Sequence, residues 1–283
     1  MRYLITGATG DVGTRVTRQL LERGIRPRVL VRSKEKGRAL FADQVDICVG
    51  DLANPESIRQ AFTGVDAVFL VNVGPDIPER DKAAATIARE AGVERIVKLS
   101  SLDVEHGLAI GAWHEEGEQA IRESGVPFTL VRPTGFMSNL LAWAESIRTD
   151  GVVRSSTGDG RRPFIHSDDI AAVCVAALLG AEYAGEALPI TGPESLSFAD
   201  ATRILGEAIG KPLVFEAISD EEARRRYAQF SGSVEETEAH VALWRAIREG
   251  RLAATTDVVE RVLGRKPMRL NQWARENAEA FRF

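Results

Sequence analysis

Thr6-Gly7-Ala8-Thr9-Gly10-Asp11-Val12-Gly13 is the stretch on which the reading of this 283-residue chain turns. Its three glycines stand three residues apart. Before it, Tyr3 to Thr6 is a short apolar run that reads as a strand. After it, Val12 to Arg23 carries Val12, Val16, Leu20 and Leu21 at helical spacing, and Gly24 stops the run. Glycines between a strand and a helix serve a phosphate in three ways. Gly7 lets the chain turn sharply, Gly10 lets backbone approach a pyrophosphate, and Gly13 lets the helix sit close to the sheet. Amide groups at the helix start then face the phosphate charge. Gly7, Thr9, Gly10, Asp11 and Val12 are the expected phosphate-side residues. A glycine-rich turn with no ligand is the alternative.

Working outward, short apolar runs alternate with amphipathic ones. Strands are expected over 28–32, 46–49, 67–71, 95–99 and 128–131, and helices over 34–41, 55–62, 80–91 and 113–123. Strand-helix alternation at this spacing predicts parallel strands joined by right-handed crossovers. The fold class is α/β, a doubly wound parallel sheet whose ligands bind beyond the carboxyl ends of the strands. After about residue 150 the alternation weakens. Helices are expected over 168–179, 198–209, 220–230, 234–249, 256–263 and 270–280, with a strand over 187–191. The expected division is a dinucleotide-binding domain over 1–155, with 165–182 packing back onto it, and a smaller, mostly helical substrate-covering lobe over 156–283.

Composition narrows the function classes. Thirty-six Lys and Arg stand against 41 Asp and Glu, a formal charge of -5, which argues against a general nucleic-acid binder. Two cysteines, Cys48 and Cys174, cannot build a disulfide scaffold, so a reducing cytoplasm is the default. No signal peptide is expected, and no apolar run approaches the ~20 residues of a membrane helix. The four histidines and two cysteines lack metal-ligand spacing, so no metal is expected. No Gly-x-Ser-x-Gly elbow points to a serine hydrolase.

The second strand end selects the dinucleotide. An NAD enzyme often places an acidic residue there for the ribose hydroxyls. This chain has Val31-Arg32-Ser33-Lys34-Glu35-Lys36. Arg32 can clamp a 2'-phosphate through paired N–H groups and Lys36 can add a point charge, which points to NADP(H). Glu35 is expected to point outward. A solvated basic helix is the alternative. Asp51 and Leu52 follow the third strand and can contact the adenine, unless Asp51 is plain turn chemistry. Val71 and Asn72 follow the fourth and should pass under the nicotinamide-side ribose.

These motifs resemble an atypical short-chain dehydrogenase/reductase. Ser100-Ser101, Val131-Arg132-Pro133-Thr134-Gly135-Phe136-Met137-Ser138-Asn139 and Ile165-His166-Ser167-Asp168-Asp169-Ile170-Ala171 resemble its NmrA-like branch. That resemblance implies a Rossmann fold, and either an NADPH-dependent quinone oxidoreductase or an NADPH-sensing regulator. The chain departs from the wider family at the Tyr-x-x-x-Lys pair: anchoring on Gly117-Glu118-Gln119-Ala120 puts Ile110 and His114 at those positions. The tyrosines are Tyr3, Tyr183 and Tyr227, all elsewhere.

Hydride transfer needs no protein acid when the acceptor stabilises the electrons itself. The expected activity is therefore reduction of a quinone or conjugated carbonyl small molecule. The alternatives are a non-catalytic redox sensor and an epimerase- or isomerase-like enzyme. Trp113, His114 and Ser100 are the candidate catalytic residues, His114 because imidazole can donate a proton near neutral pH. Trp113 also reads as core, and His114 also reads as a ribose or backbone ligand. Pro133 should line the nicotinamide face. Phe136, Met137 and Asn139 are the expected substrate wall, although Phe136, Leu140 and Trp143 also share a core-like helical spacing. Oligomeric state is left open.

Overall fold

In the computed structural model, residues 1–282 are described. The strands are β1 (Tyr3–Ile5), β2 (Arg28–Val31), β3 (Asp46–Val49), β4 (Ala67–Val71), β5 (Arg95–Leu99) and β6 (Phe128–Pro133), followed by β7 (Val152–Ser155), β8 (Arg161–Arg162), β9 (Ala187–Ile190), β10 (Leu196–Ser197) and β11 (Val214–Ala217). The helices are α1 (Asp11–Glu22), α2 (Lys34–Phe41), α3 (Pro55–Phe62), α4 (Ile77–Glu90), α5 (Ala109–Glu123) and α6 (Ala144–Asp150). After them come α7 (Ser167–Leu179), α8 (Phe198–Ile209), α9 (Asp220–Tyr227), α10 (Val234–Arg248), α11 (Val258–Leu263) and α12 (Leu270–Glu276).

The chain divides into two compact units. The first comprises 1–104, 111–133 and 167–189; the second comprises 105–110, 134–166 and 190–283. The first carries a seven-stranded sheet in the order β3-β2-β1-β4-β5-β6-β9. Its paired strands run parallel. At the β9 end, Leu130 N donates to Glu186 O and Thr134 N to Ile190 O, so the two chains advance together. Strand order reverses at β1, from which β2 and β3 lie on one side and β4 to β6 on the other. The crevice for a ligand therefore opens beyond the carboxyl ends of β1 and β4.

Register sets the strand ends level. Ile5 pairs with Val29 and with Phe69, so Gly7 comes opposite Val31 and Val71. Val71 pairs with Leu99 and Leu99 with Val131, which brings Asn72, Ser100 and Arg132 to the same edge. One face of the sheet buries Leu30, Val68, Leu70 and Ile96 against Ile58, Phe62, Ala84, Ala88 and Ile121 from α3, α4 and α5. On the other, α7 lies against α1 and β4 to β6. Strand residues there are apolar in near-continuous runs because helices cover both faces.

The second unit has its own core, which includes Met137, Leu140, Ile147, Val153, Phe198, Leu205, Ile247 and Trp273. Residues 134–155, placed with the first domain from the sequence alone, belong to this unit. After Pro133 the chain leaves the sheet, and Met137, Leu140, Ala144, Ile147 and Val153 bury their side chains in this core. The lobe also holds short strand pairs, β7 parallel to β11 and β8 antiparallel to β10, too brief to leave a periodic pattern. Two helices begin earlier than expected. Helix α4 starts at Ile77 because Pro78 is tolerated in a first turn, and α5 starts at Ala109. Among the described residues no helix is long and apolar enough to cross a membrane.

Candidate active site

The glycine loop has the conformation its spacing predicts. Gly7 has φ +57°, and a Cβ on it would lie 2.4 Å from Val71 Cγ1. Gly10 N donates to Gly7 O at 2.9 Å and closes the turn. A Cβ on Gly13 would come within 2.2 Å of Gly7 O, so only glycine lets α1 start this close to the strand. Gly10 caps α1 without a side-chain hydrogen bond. The first-turn amides are thus left for an anion. Asp11 adds a negative charge at this spot, and Arg15 offsets it with a 3.0 Å contact to Asp11 Oδ1. Ser167 Oγ donates to Asp11 Oδ2, and Arg15 reaches Asp168 at 2.6 Å, so the first turn of α7 is tied to α1. Loop and helix start fit a pyrophosphate.

Arg32 and Lys36 are exposed, and neither side chain makes an ion pair among the described residues. Ser33 Oγ caps α2 by accepting from Lys36 N and donates to Glu35 Oε2 at 2.8 Å. Glu35 is exposed, and the amide of its own backbone, then the Ser33 hydroxyl, hold its carboxyl below the ordinary value. Asp51 Oδ1 accepts from Ala53 N at 3.0 Å, the turn contact that was the alternative for this residue, and Leu52 is buried. Val71 is half-buried, and its amide donates to Thr6 Oγ1.

Asn72, Ser100 and His114 each adjoin buried charge. Asn72 Nδ2 donates to Asp81 Oδ1 at 2.7 Å. Asp81 Oδ2 lies 2.7 Å from Lys98 Nζ, both side chains having 0% exposure. Ser100 Oγ donates to Glu118 Oε1 at 2.6 Å. Glu118, also buried, takes Arg132 on both oxygens and Arg122 on one. Burial pushes Glu118 up, but the hydrogen bonds from Arg132 and Ser100 outweigh it and hold the carboxyl below its usual range. The Ser100 proton is therefore directed to a carboxylate, not to a ligand. Trp113 is half-buried on α5. His114 Nδ1 is buried and has no hydrogen-bond partner among the described residues. Burial, and then the charge of Lys98, push His114 well below the ordinary imidazole range. Burial and Lys98 thus both favour the neutral imidazole at position 114.

Pro133 is buried at the end of β6. In the second unit, Phe136 is half-buried and bridges to Ile165, while Asn139 is exposed. Met137 is 1% exposed and spends its side chain in the core, which corrects its place in the expected substrate wall.

A family model described as NAD(P)H-binding matches residues 7–180, from the first glycine through α7. The chain belongs to the NAD(P)H-binding oxidoreductase family. It is 39% identical over 282 residues to a (4-alkanoyl-5-oxo-2,5-dihydrofuran-3-yl)methyl phosphate reductase of Streptomyces griseus subsp. griseus, with 98% of each chain covered. It is 34% identical to an NAD(P)H azoreductase of Xenophilus azovorans, again over 98% of each. The fold matches that of an NADPH-dependent quinone oxidoreductase from Escherichia coli, solved with NADPH, at a TM-score of 0.86. Identity there is 22%, covering 98% of this chain and 99% of that one.

Four residues of this NAD(P)H-binding protein have no role assigned from the sequence: Asp81 and Lys98, and Glu118 and Arg132, which stand in the quoted motifs only. Signals for two of them were present. Lys98 is a charge within the apolar run Arg95-Ile96-Val97-Lys98-Leu99, which demands a buried partner. Asp81 shares the 81, 84, 85, 88 stripe of α4 with three alanines, the face turned to the core.

Proposed function

We propose that this chain is an NADPH-dependent reductase that delivers a hydride to a quinone or conjugated carbonyl compound without a tyrosine acid. The observation that carries this reading is the half-buried His114 on α5, its buried Nδ1 without a hydrogen-bond partner among the described residues, where the wider family supplies its tyrosine-lysine machinery. When bound, NADPH supplies the hydride from nicotinamide C4. The residues of the first unit then hold and orient. The glycine loop and the first turn of α1 receive the pyrophosphate, and Arg32 with Lys36 receives the 2'-phosphate. Asp51, Leu52, Val71, Asn72 and Pro133 complete the proposed cofactor contacts.

With no tyrosine acid at this position, the acceptor must tolerate the incoming electron pair. A quinone does so on its own oxygens and takes its proton from water: NADPH, H⁺ and quinone give NADP⁺ and hydroquinone. The relatives support this class. The Streptomyces compound, as named, has a ring alkene conjugated to two carbonyls, both attached to the same alkene carbon, and an azo group likewise spreads the charge. Phe136 and Asn139 retain accessible surface and stay as proposed substrate contacts. Trp113 stays as a proposed neighbour of the reactive end, and Ser100 is assigned to the Glu118 network.

The test is NADPH consumption by purified protein with a panel of quinones, an azo dye and an acyl butenolide. Turnover with at least one conjugated acceptor is expected. Tight NADPH binding with no turnover across the panel would move the reading to the redox sensor.

A further inference from the structure

The most unusual charge arrangement in the first unit lies under the carboxyl ends of β4 and β5. Lys98 on β5 and Asp81 on α4 form an ion pair with no solvent exposure. Such pairs are costly to bury, and replacing one with apolar residues is often neutral or stabilising. Packing around it is close: a Cβ on Gly117 of α5 would lie 2.3 Å from Asp81 Oδ2. The sheet could be filled there with two aliphatic side chains, so the pair calls for a reason beyond stability.

The second oxygen of Asp81 supplies one. It accepts from Asn72 Nδ2 at 2.7 Å, the first residue beyond β4 and beside the point where strand order reverses. An ionised carboxylate has no proton to give, so it can face only the amide nitrogen of Asn72. The Asn72 carbonyl oxygen must then be the end turned away from the pair, and it accepts no hydrogen bond among the described residues. Lys98 Nζ holds its other oxygen at 2.7 Å.

We infer that Asp81 and Lys98 are positioning residues that lock the Asn72 side chain with its carbonyl oxygen outward, as an acceptor for a ribose hydroxyl on the nicotinamide half of the cofactor. This rests on the NADPH reading above. It also explains why the pair sits at this level of the sheet: it is one residue deep to the edge where the cofactor passes.

An isosteric change reverses the lock. In Asp81→Asn, the new amide oxygen must face the Lys98 ammonium, so its NH2 faces Asn72. Asn72 then turns over and presents its own NH2 outward. The affinity of the folded variant for NADPH should fall about tenfold, as loss of a sound hydrogen bond requires. Affinity for adenosine 2',5'-bisphosphate, which lacks the nicotinamide half, should be unchanged. Asn72→Ala should show the same split, and Asp81→Asn added to it should weaken NADPH no further, because the pair acts through Asn72. If Asp81→Asn is too unstable to purify, Asp81→Leu/Lys98→Met removes both charges and the acceptor that holds the Asn72 amide, and should shift the NADPH-to-bisphosphate ratio in the same direction. An unchanged ratio in either folded variant overturns the inference. Failure of the parent protein to bind the bisphosphate or NADPH overturns the cofactor reading instead.

Discussion

His114 shows how far a side chain's chemistry depends on neighbours distant in sequence. Its burial on α5 and the ammonium of Lys98, sixteen positions earlier, both disfavour the imidazolium. The folded chain therefore resists a proton that the unfolded chain accepts near pH 6.5. As pH falls below about 6.5 the unfolded state binds more protons than the folded one, and stability drops; above that value His114 contributes no pH dependence. Chemical denaturation between pH 5 and 7.5 should show this loss, and His114→Gln should flatten it. An equally steep loss in the variant would remove His114 from the account. The motifs marked position 114 for attention but could not give its protonation, because nothing local to residues 110–118 announces Lys98 beneath them. Ser100 is parallel: its place at a strand end was legible, whereas its partner Glu118 is brought to it by the packing of α5.

Among the elements, what was legible followed from periodicity and from glycine. The runs that became β1 to β6 were short and apolar, and Gly7, Gly10 and Gly13 marked the one junction where a helix must meet a strand end at close range. Residues 134–155 were not legible as part of the second unit, since a short 3₁₀ segment, a two-turn helix and a four-residue strand leave no clear period. Two glycines separate close approach from mere permission. A Cβ on Gly13 meets Gly7 O at 2.2 Å and Gly7 C at 2.7 Å, backbone atoms that cannot swing aside. Gly13→Ala should cost about 1–3 kcal/mol and displace the start of α1 from the loop, abolishing NADPH binding. Gly37, inside α2, would place its Cβ no closer than 3.4 Å to side-chain methyls. Gly37→Ala should be neutral or stabilise by about 0.5–1 kcal/mol. Denaturant midpoints of the two variants decide the matter, and similar destabilisation in both would remove the distinction.

Across the whole molecule, net charge opposes the ligand it is proposed to hold. The chain carries a formal charge of -5, and a 2'-phosphate adds close to two further negative charges. Long-range attraction cannot select NADPH over NADH here, so the proposed selection is local, at the exposed Arg32 and Lys36, which make no ion pair among the described residues. A guanidinium contact to phosphate is worth about 1.5–3 kcal/mol, or roughly 10- to 100-fold in affinity. That difference reads out in the stability of the entire chain, because a ligand bound only to the folded state at 100 times its Kd adds about 2.7 kcal/mol. For a chain of this size such a gain raises the melting temperature by roughly 5 °C. NADPH should therefore lift the melting temperature several degrees at concentrations where NADH barely moves it. Arg32→Glu should cancel the NADPH advantage while leaving the unliganded melting temperature within about a degree, since a surface change away from packing is worth under ~0.5 kcal/mol. Because the clamp is exposed, the NADPH shift should shrink as salt rises past physiological strength, while the smaller NADH shift, which lacks the third phosphate, should respond less. Equal shifts by the two nucleotides in the parent protein would place phosphate recognition elsewhere and leave Arg32 and Lys36 as solvated surface.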